Sequence, residues 1–187
     1  AVKENVPIYG KLKAATRVEE AIYSELSRHK DINLVMLGVP AERAKLEHPH
    51  NILKEVNMMA SRDVAVLRDK GLPDEIHRIL VPVGGGPNAR LALQMARDIA
   101  TPGDAEVVGL RLVLGEADEE RMEDEELQLH EIAEAELGDI TENIRLKVSR
   151  AESVADEILK ECYEGHYDLL IMGCAEEILA PDQLFGK

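Results

Sequence analysis

The 187-residue sequence has no tryptophan, one phenylalanine and four tyrosines, so any core it builds is aliphatic. Its two cysteines, Cys162 and Cys174, are too few for a disulfide framework and read as buried thiols of a reducing compartment. No stretch reaches the roughly 18 apolar residues that a membrane span requires, and no signal peptide is visible. Basic residues are also scarce, 22 against 37 acidic for a net charge of −15, which argues against nucleic acid as a partner. The apolar content, 45%, suffices for a packed core, and the expectation is a soluble, cytoplasmic chain.

The negative charge is local. Residues 1–75 carry 12 acidic and 12 basic groups, whereas 116–142 carry 13 carboxylates against Arg121 alone. Within that run Met122, Leu129, Ile132, Ala133 and Leu137 fall at helical spacing, which predicts an amphipathic helix with a solvated acidic face. Its functional alternative is a docking face for a basic protein partner.

Strand and helix signals alternate along the chain. They predict a strand at Asn5–Lys13, a helix Arg17–His29 capped by Thr16, a strand Asn33–Leu37, a helix Ile52–Ser61 and a strand Asp63–Leu67. Gly71 and Pro73 mark 70–75 as a linker. After it come a buried strand Ile79–Val83, a glycine turn Gly84–Pro87, a helix Asn88–Ala100 with Leu91, Leu93, Met95 and Ile99 apolar, and a strand Glu106–Leu114. The acidic helix follows, then a strand Asn143–Val148, a helix Ser153–Glu164 and a strand Asp168–Gly173. This alternation implies α/β architecture with open parallel sheets of doubly wound type.

Two parts of the chain repeat. Arg17-Val18-Glu19-Glu20-Ala21-Ile22 matches Ser153-Val154-Ala155-Asp156-Glu157-Ile158, and Asn33-Leu34-Val35-Met36-Leu37-Gly38 matches Asp168-Leu169-Leu170-Ile171-Met172-Gly173. A period near one small α/β domain predicts two related domains in tandem, both incomplete: 1–69 the C-terminal part of the first, 76–187 the second without its last helix and strand.

The strand–turn–helix Ile79-Leu80-Val81-Pro82-Val83-Gly84-Gly85-Gly86-Pro87-Asn88-Ala89 resembles the opening of a universal stress protein domain. Val154–Ile158, Asp168–Gly173 and Leu184-Phe185-Gly186 resemble its later part. The resemblance implies a Rossmann-like, five-stranded parallel sheet, with ATP bound by many members at the carboxyl ends of the strands. The family's nucleotide pattern is an acidic residue after the first strand, then G-x2-G-x9-G-S/T after the fourth. Here Gly84 holds the acidic position, Gly173 and Gly186 match the outer glycines, Glu176 stands at the middle glycine and Lys187 at the hydroxyl. In the first half Gly38 fits, while Ala41 and Asn51 replace the later glycines.

These departures lead to the expectation that no cofactor is bound. The alternative is a stand-alone tandem stress protein that binds adenine nucleotide through Gly84, Gly85, Gly86, Gly173 and Gly186. The Gly-Gly-Pro-Asn turn resembles stress-protein modules fused to prokaryotic transporters of the amino-acid permease and cation–chloride cotransporter types. That resemblance implies a cytosolic regulatory module attached to the transmembrane part of the same polypeptide, with pairing through the last strand, here Asp63–Leu67, between the two tandem domains and a second copy forming a homodimer. No Walker lysine, GxSxG elbow or HExxH helix occurs, so no catalytic residue is assigned and an enzyme is not expected. His48-Pro49-His50 beside Glu47 lacks the four ligands of a structural zinc site, and no metal site is assigned.

Overall fold

A computed structural model describes residues 7–39, 55–56 and 62–174. The chain separates into two compact units, meeting in sequence at Gly71 and Leu72.

In the first unit helix α1 (Val18–Arg28) precedes strands β1 (Leu34–Val39) and β2 (Asp63–Arg68). The strands pair in parallel, Leu34 opposite Asp63 through Val39 opposite Arg68. Two sequence expectations fail here. Residues 7–13 form no strand: Pro7 lacks a donor, Ile8, Tyr9 and Leu12 stay exposed, and the Lys11 and Lys13 amines instead reach Glu25 and Ser24 of α1. Nor does Thr16 cap α1. The extended N-cap residue is Arg17, without a side-chain cap, and its guanidinium binds Glu19 and, at 2.5 Å, Glu55. Of the expected helix Ile52–Ser61, Glu55 and Val56 are helical and the rest lies outside the described residues.

The second unit contains β3 (Arg78–Pro82), α2 (Pro87–Ala100), β4 (Glu106–Leu114), α3 (Glu119–Leu137), β5 (Ile144–Ala151), α4 (Val154–Gly165) and β6 (Leu169–Leu170). All strands are parallel, in the order β5-β4-β3-β6. Because helical crossovers cover both faces, β3 reads as a continuous apolar run, and Ile79, Leu80 and Val81 are fully buried. Ile79, Val81, Val83 and Val107 pack with Leu93 of α2 and with Leu129, Ala133 and Leu137 of α3. Leu80, Val108 and Leu110 point the other way and pack with Ile158 of α4.

The buried face of α2 is made of Ala89, Ala92, Leu93, Ala96 and Ala100, while Ile99 is exposed. Alanines at this spacing let the helix lie close to the sheet; of the apolar residues named from the sequence Leu93 is buried, Leu91 and Met95 are half-buried and Ile99 is exposed. Pro87 is the first helical residue, where its missing N–H costs nothing. Asp118 caps α3 by accepting from Arg121 N at 3.0 Å, and Gly138 ends it. The last strand is shorter than the expected Asp168–Gly173. Its ladder with β3 runs from Asp168 N–Arg78 O to Ile171 N–Leu80 O; the next residue of β3 on that side, Pro82, has no N–H to donate.

Substituting Ala96→Leu should cost about 1–3 kcal/mol by forcing α2 off the sheet, whereas Ile99→Ala should leave stability almost unchanged. Urea unfolding midpoints of the two variants check this.

Candidate functional site

In an open parallel sheet the chemistry gathers at the carboxyl ends of the strands, where the chain reverses its direction of winding. Here that point lies between β3 and β6. Gly84, Gly85 and Gly86 lead from β3 to α2, and Gly85 adopts φ +92°, a conformation that strains any other residue. Gly86 is the N-cap of α2 and has no side chain to satisfy the first amides.

Gly173, after β6, lies against this same turn. A methyl group there would overlap the backbone of Asn88 and Ala89, and the Asn88 side-chain amide donates to the carbonyl of Cys174. Gly84, Gly85 and Gly86 share the turn from β3 to α2, and Gly173 packs backbone on backbone against the helical turn that follows them. Gly186, Glu176 and Lys187 lie outside the described residues, as do Ala41, Asn51 and His48–His50. Burial pushes the Cys174 thiol up, so it is a poor nucleophile, and both cysteines are half-buried where full burial was expected.

Sequence reasoning passed over Arg111, the one cation inside the apolar strand β4. Its Nη1 donates to Val83 O at 3.1 Å and sits 3.2 Å from where a Cβ on Gly85 would stand. Its Nε donates to Glu125 of α3 at 2.7 Å, with the two side chains 17% and 18% exposed. A lone arginine in a run such as Glu106–Leu114 was the signal that could have revealed it.

A second polar cluster lies at the opposite end of the sheet. Arg78 stacks over the Tyr167 ring at 4.6 Å and binds Glu106 at 2.6 Å. Tyr167 donates to Glu161 at 3.0 Å; burial first, then this carboxylate, push its hydroxyl up to about 12. Lys147 donates to Glu161 at 2.6 Å, and these two partners outweigh burial to hold the Glu161 carboxyl below its ordinary range. The amides of His77 and Arg78 donate to Asp168 at 2.8 and 3.0 Å and depress its carboxyl likewise, against the opposing effect of burial. No group of three or more metal-ligating side chains occurs among the described residues.

The sequence profile of the universal stress protein family matches residues 75–186. The chain belongs to that family. The order β5-β4-β3-β6 is accordingly the third, second, first and fourth strand of a universal stress protein domain. A universal stress protein solved in complex with cAMP is 16% identical over 61% of this chain and 87% of its own, with a TM-score of 0.47. A family member from Burkholderia pseudomallei is 20% identical over 60% and 90%, with a TM-score of 0.46. The universal stress protein UspA from Lactobacillus plantarum is 17% identical over 59% and 94%, with a TM-score of 0.38. No curated protein matches the sequence.

The depressed carboxyl of Asp168 contributes stability above the ordinary aspartate value of about 3.9, and that contribution disappears as pH falls through the lower native value. Asp168→Asn should therefore unfold at lower denaturant than the wild type at pH 7, with the gap closing towards pH 3. Denaturation at a series of pH values reads this directly.

Proposed function

We propose that this universal stress protein domain acts as a regulatory and dimerisation module without a nucleotide. The observation that carries this reading is the packing of the segment after β6 on the start of α2. Gly173 packs on the first turn of α2 and Asn88 ties that turn to Cys174 O, so among the described residues these glycine-flanked segments are held by contacts within the protein. Gly84 also offers no carboxylate at the position where the family's nucleotide pattern has one. No enzymatic chemistry is assigned to the chain.

The reading extends to domain organisation. Residues 1–69 would be the C-terminal part of a first domain, 70–75 a linker and 76–187 a second domain. The helix–strand pair α1–β1 supports this, since Val18 and Leu34 open elements at the positions that the repeat aligns with Val154 of α4 and Leu169 of β6. Pairing through β2 would make the homodimer, and among the described residues β2 is bonded on one side alone. The Gly84-Gly85-Gly86-Pro87-Asn88 turn favours attachment to a secondary transporter of the cation–chloride cotransporter or amino-acid permease type, with this module in the cytoplasm. No helix among the described residues is long and apolar enough to cross a membrane.

Calorimetric titration of the full chain with magnesium ATP, and separately with cAMP, should give no saturable heat. Micromolar binding at one site per chain would replace this reading with the alternative, a stand-alone tandem stress protein that senses adenine nucleotide. The parent reading frame tests the transporter attachment: ten or more spans before Ala1 support it, and a nearby start codon with none refutes it.

A further inference from the structure

The core contacts of α3 are unevenly placed. Leu129, Ala133 and Leu137 bury its C-terminal half, helped by Ile132, and Glu136 adds bonds to Arg90 at 2.7 Å and Gln94 at 2.6 Å. The N-terminal half, residues 119–128, contributes nothing to that core. Met122 is half-buried, Leu127 is exposed, and six carboxylates face a single arginine, Arg121. Glu119 and Glu123, and Glu120 and Asp124, are like charges one turn apart, an arrangement that weakens a helix. Among the described residues one ion pair joins this half to the sheet: Glu125 with Arg111.

We infer that the Arg111–Glu125 pair is a latch that holds the acidic N-terminal half of α3 over the glycine turn, and that its loss frees that half of the helix. The pair is largely withdrawn from water, so it is stronger and less salt-screened than a surface bridge. Arg111 is anchored independently of Glu125 through Val83 O, so the guanidinium keeps its position when the carboxylate leaves. Loss of Glu125 leaves residues 119–128 with their N-cap, Asp118, and the half-buried Met122 against the mutual repulsion of their carboxylates. The C-terminal half remains on the sheet. Such a split helix is a strap: one half is part of the core, the other is held by a single polar contact.

The test is hydrogen exchange of the full chain, resolved to peptides covering 119–128 and 129–137, for the wild type, Glu125→Gln and Arg111→Leu. The latch predicts roughly five- to thirtyfold faster exchange in 119–128 for both variants, with 129–137, β3 and β4 unchanged. Arg111→Lys, which keeps the charge, should recover part of the protection. Unchanged protection at 119–128, or equal loss along all of α3, overturns the proposal. Should Arg111→Leu not fold, Glu125→Gln alone decides, because it removes one charge from an acidic helix and leaves the strand intact.

Discussion

Everything in the second unit hangs on β3, a five-residue strand bonded to β4 on one side and β6 on the other. Its residues Ile79, Leu80 and Val81 are shielded on both faces, by α2 and α3 above and α4 below. A strand so enclosed must be apolar at consecutive positions, and past Pro82 its last groups are met by Leu110 O and by the Arg111 guanidinium at Val83. The chain leaves the core at Gly84. The turn, the start of α2 and the seat of Gly173 are consequences of where β3 stops.

Consecutive apolar residues made β3 and β4 legible in the sequence, and Glu106–Leu114 was placed at its observed bounds. The acidic helix was legible through Leu129, Ala133 and Leu137, whose spacing survives in the core. The orientation of α2 was not, because alanine is neutral in a hydrophobic pattern and its packing role appears only against a sheet. The supposed strand at residues 5–13 shows the converse error: alternation near a proline looks like a strand, but a strand exists only with a partner. Arg111 stood out as a lone cation in an apolar run, but its partner did not. Its role depends on Glu125, fourteen residues away on another element, and no local pattern links them.

The charge distribution follows from the same packing. A net charge of −15 would oppose compaction if spread evenly, but 13 carboxylates sit in 116–142, where most face water along one helix. The few that turn inward are each met by a cation or amide: Glu125 by Arg111, Glu136 by Arg90 and Gln94. At the other end of the sheet Glu106 lies between Arg78 and Arg145, and Glu161 between Lys147 and Tyr167. These partly buried carboxylates are each matched by a cation or hydrogen-bond donor from a neighbouring element: Arg111 and Lys147 from strands, Arg90 from α2.

Glycines at the carboxyl ends of β3 and β6 are consistent with phosphate recognition, because a bare backbone presents amides to an anion. They are equally consistent with packing, and Gly173 meets that constraint in its own right. A side chain at that position would collide with the backbone of Asn88 and Ala89 whether or not a ligand were present. Gly85 is required by its own φ of +92°, again without reference to a ligand. Both glycines therefore persist when the carboxylate of the nucleotide pattern is gone, as it is at Gly84. A glycine match at the end of a parallel strand thus identifies the fold before it identifies the cofactor. The residues that discriminate are the charged ones around it, and among the described residues Arg111, beside Gly85, is already paired with Glu125.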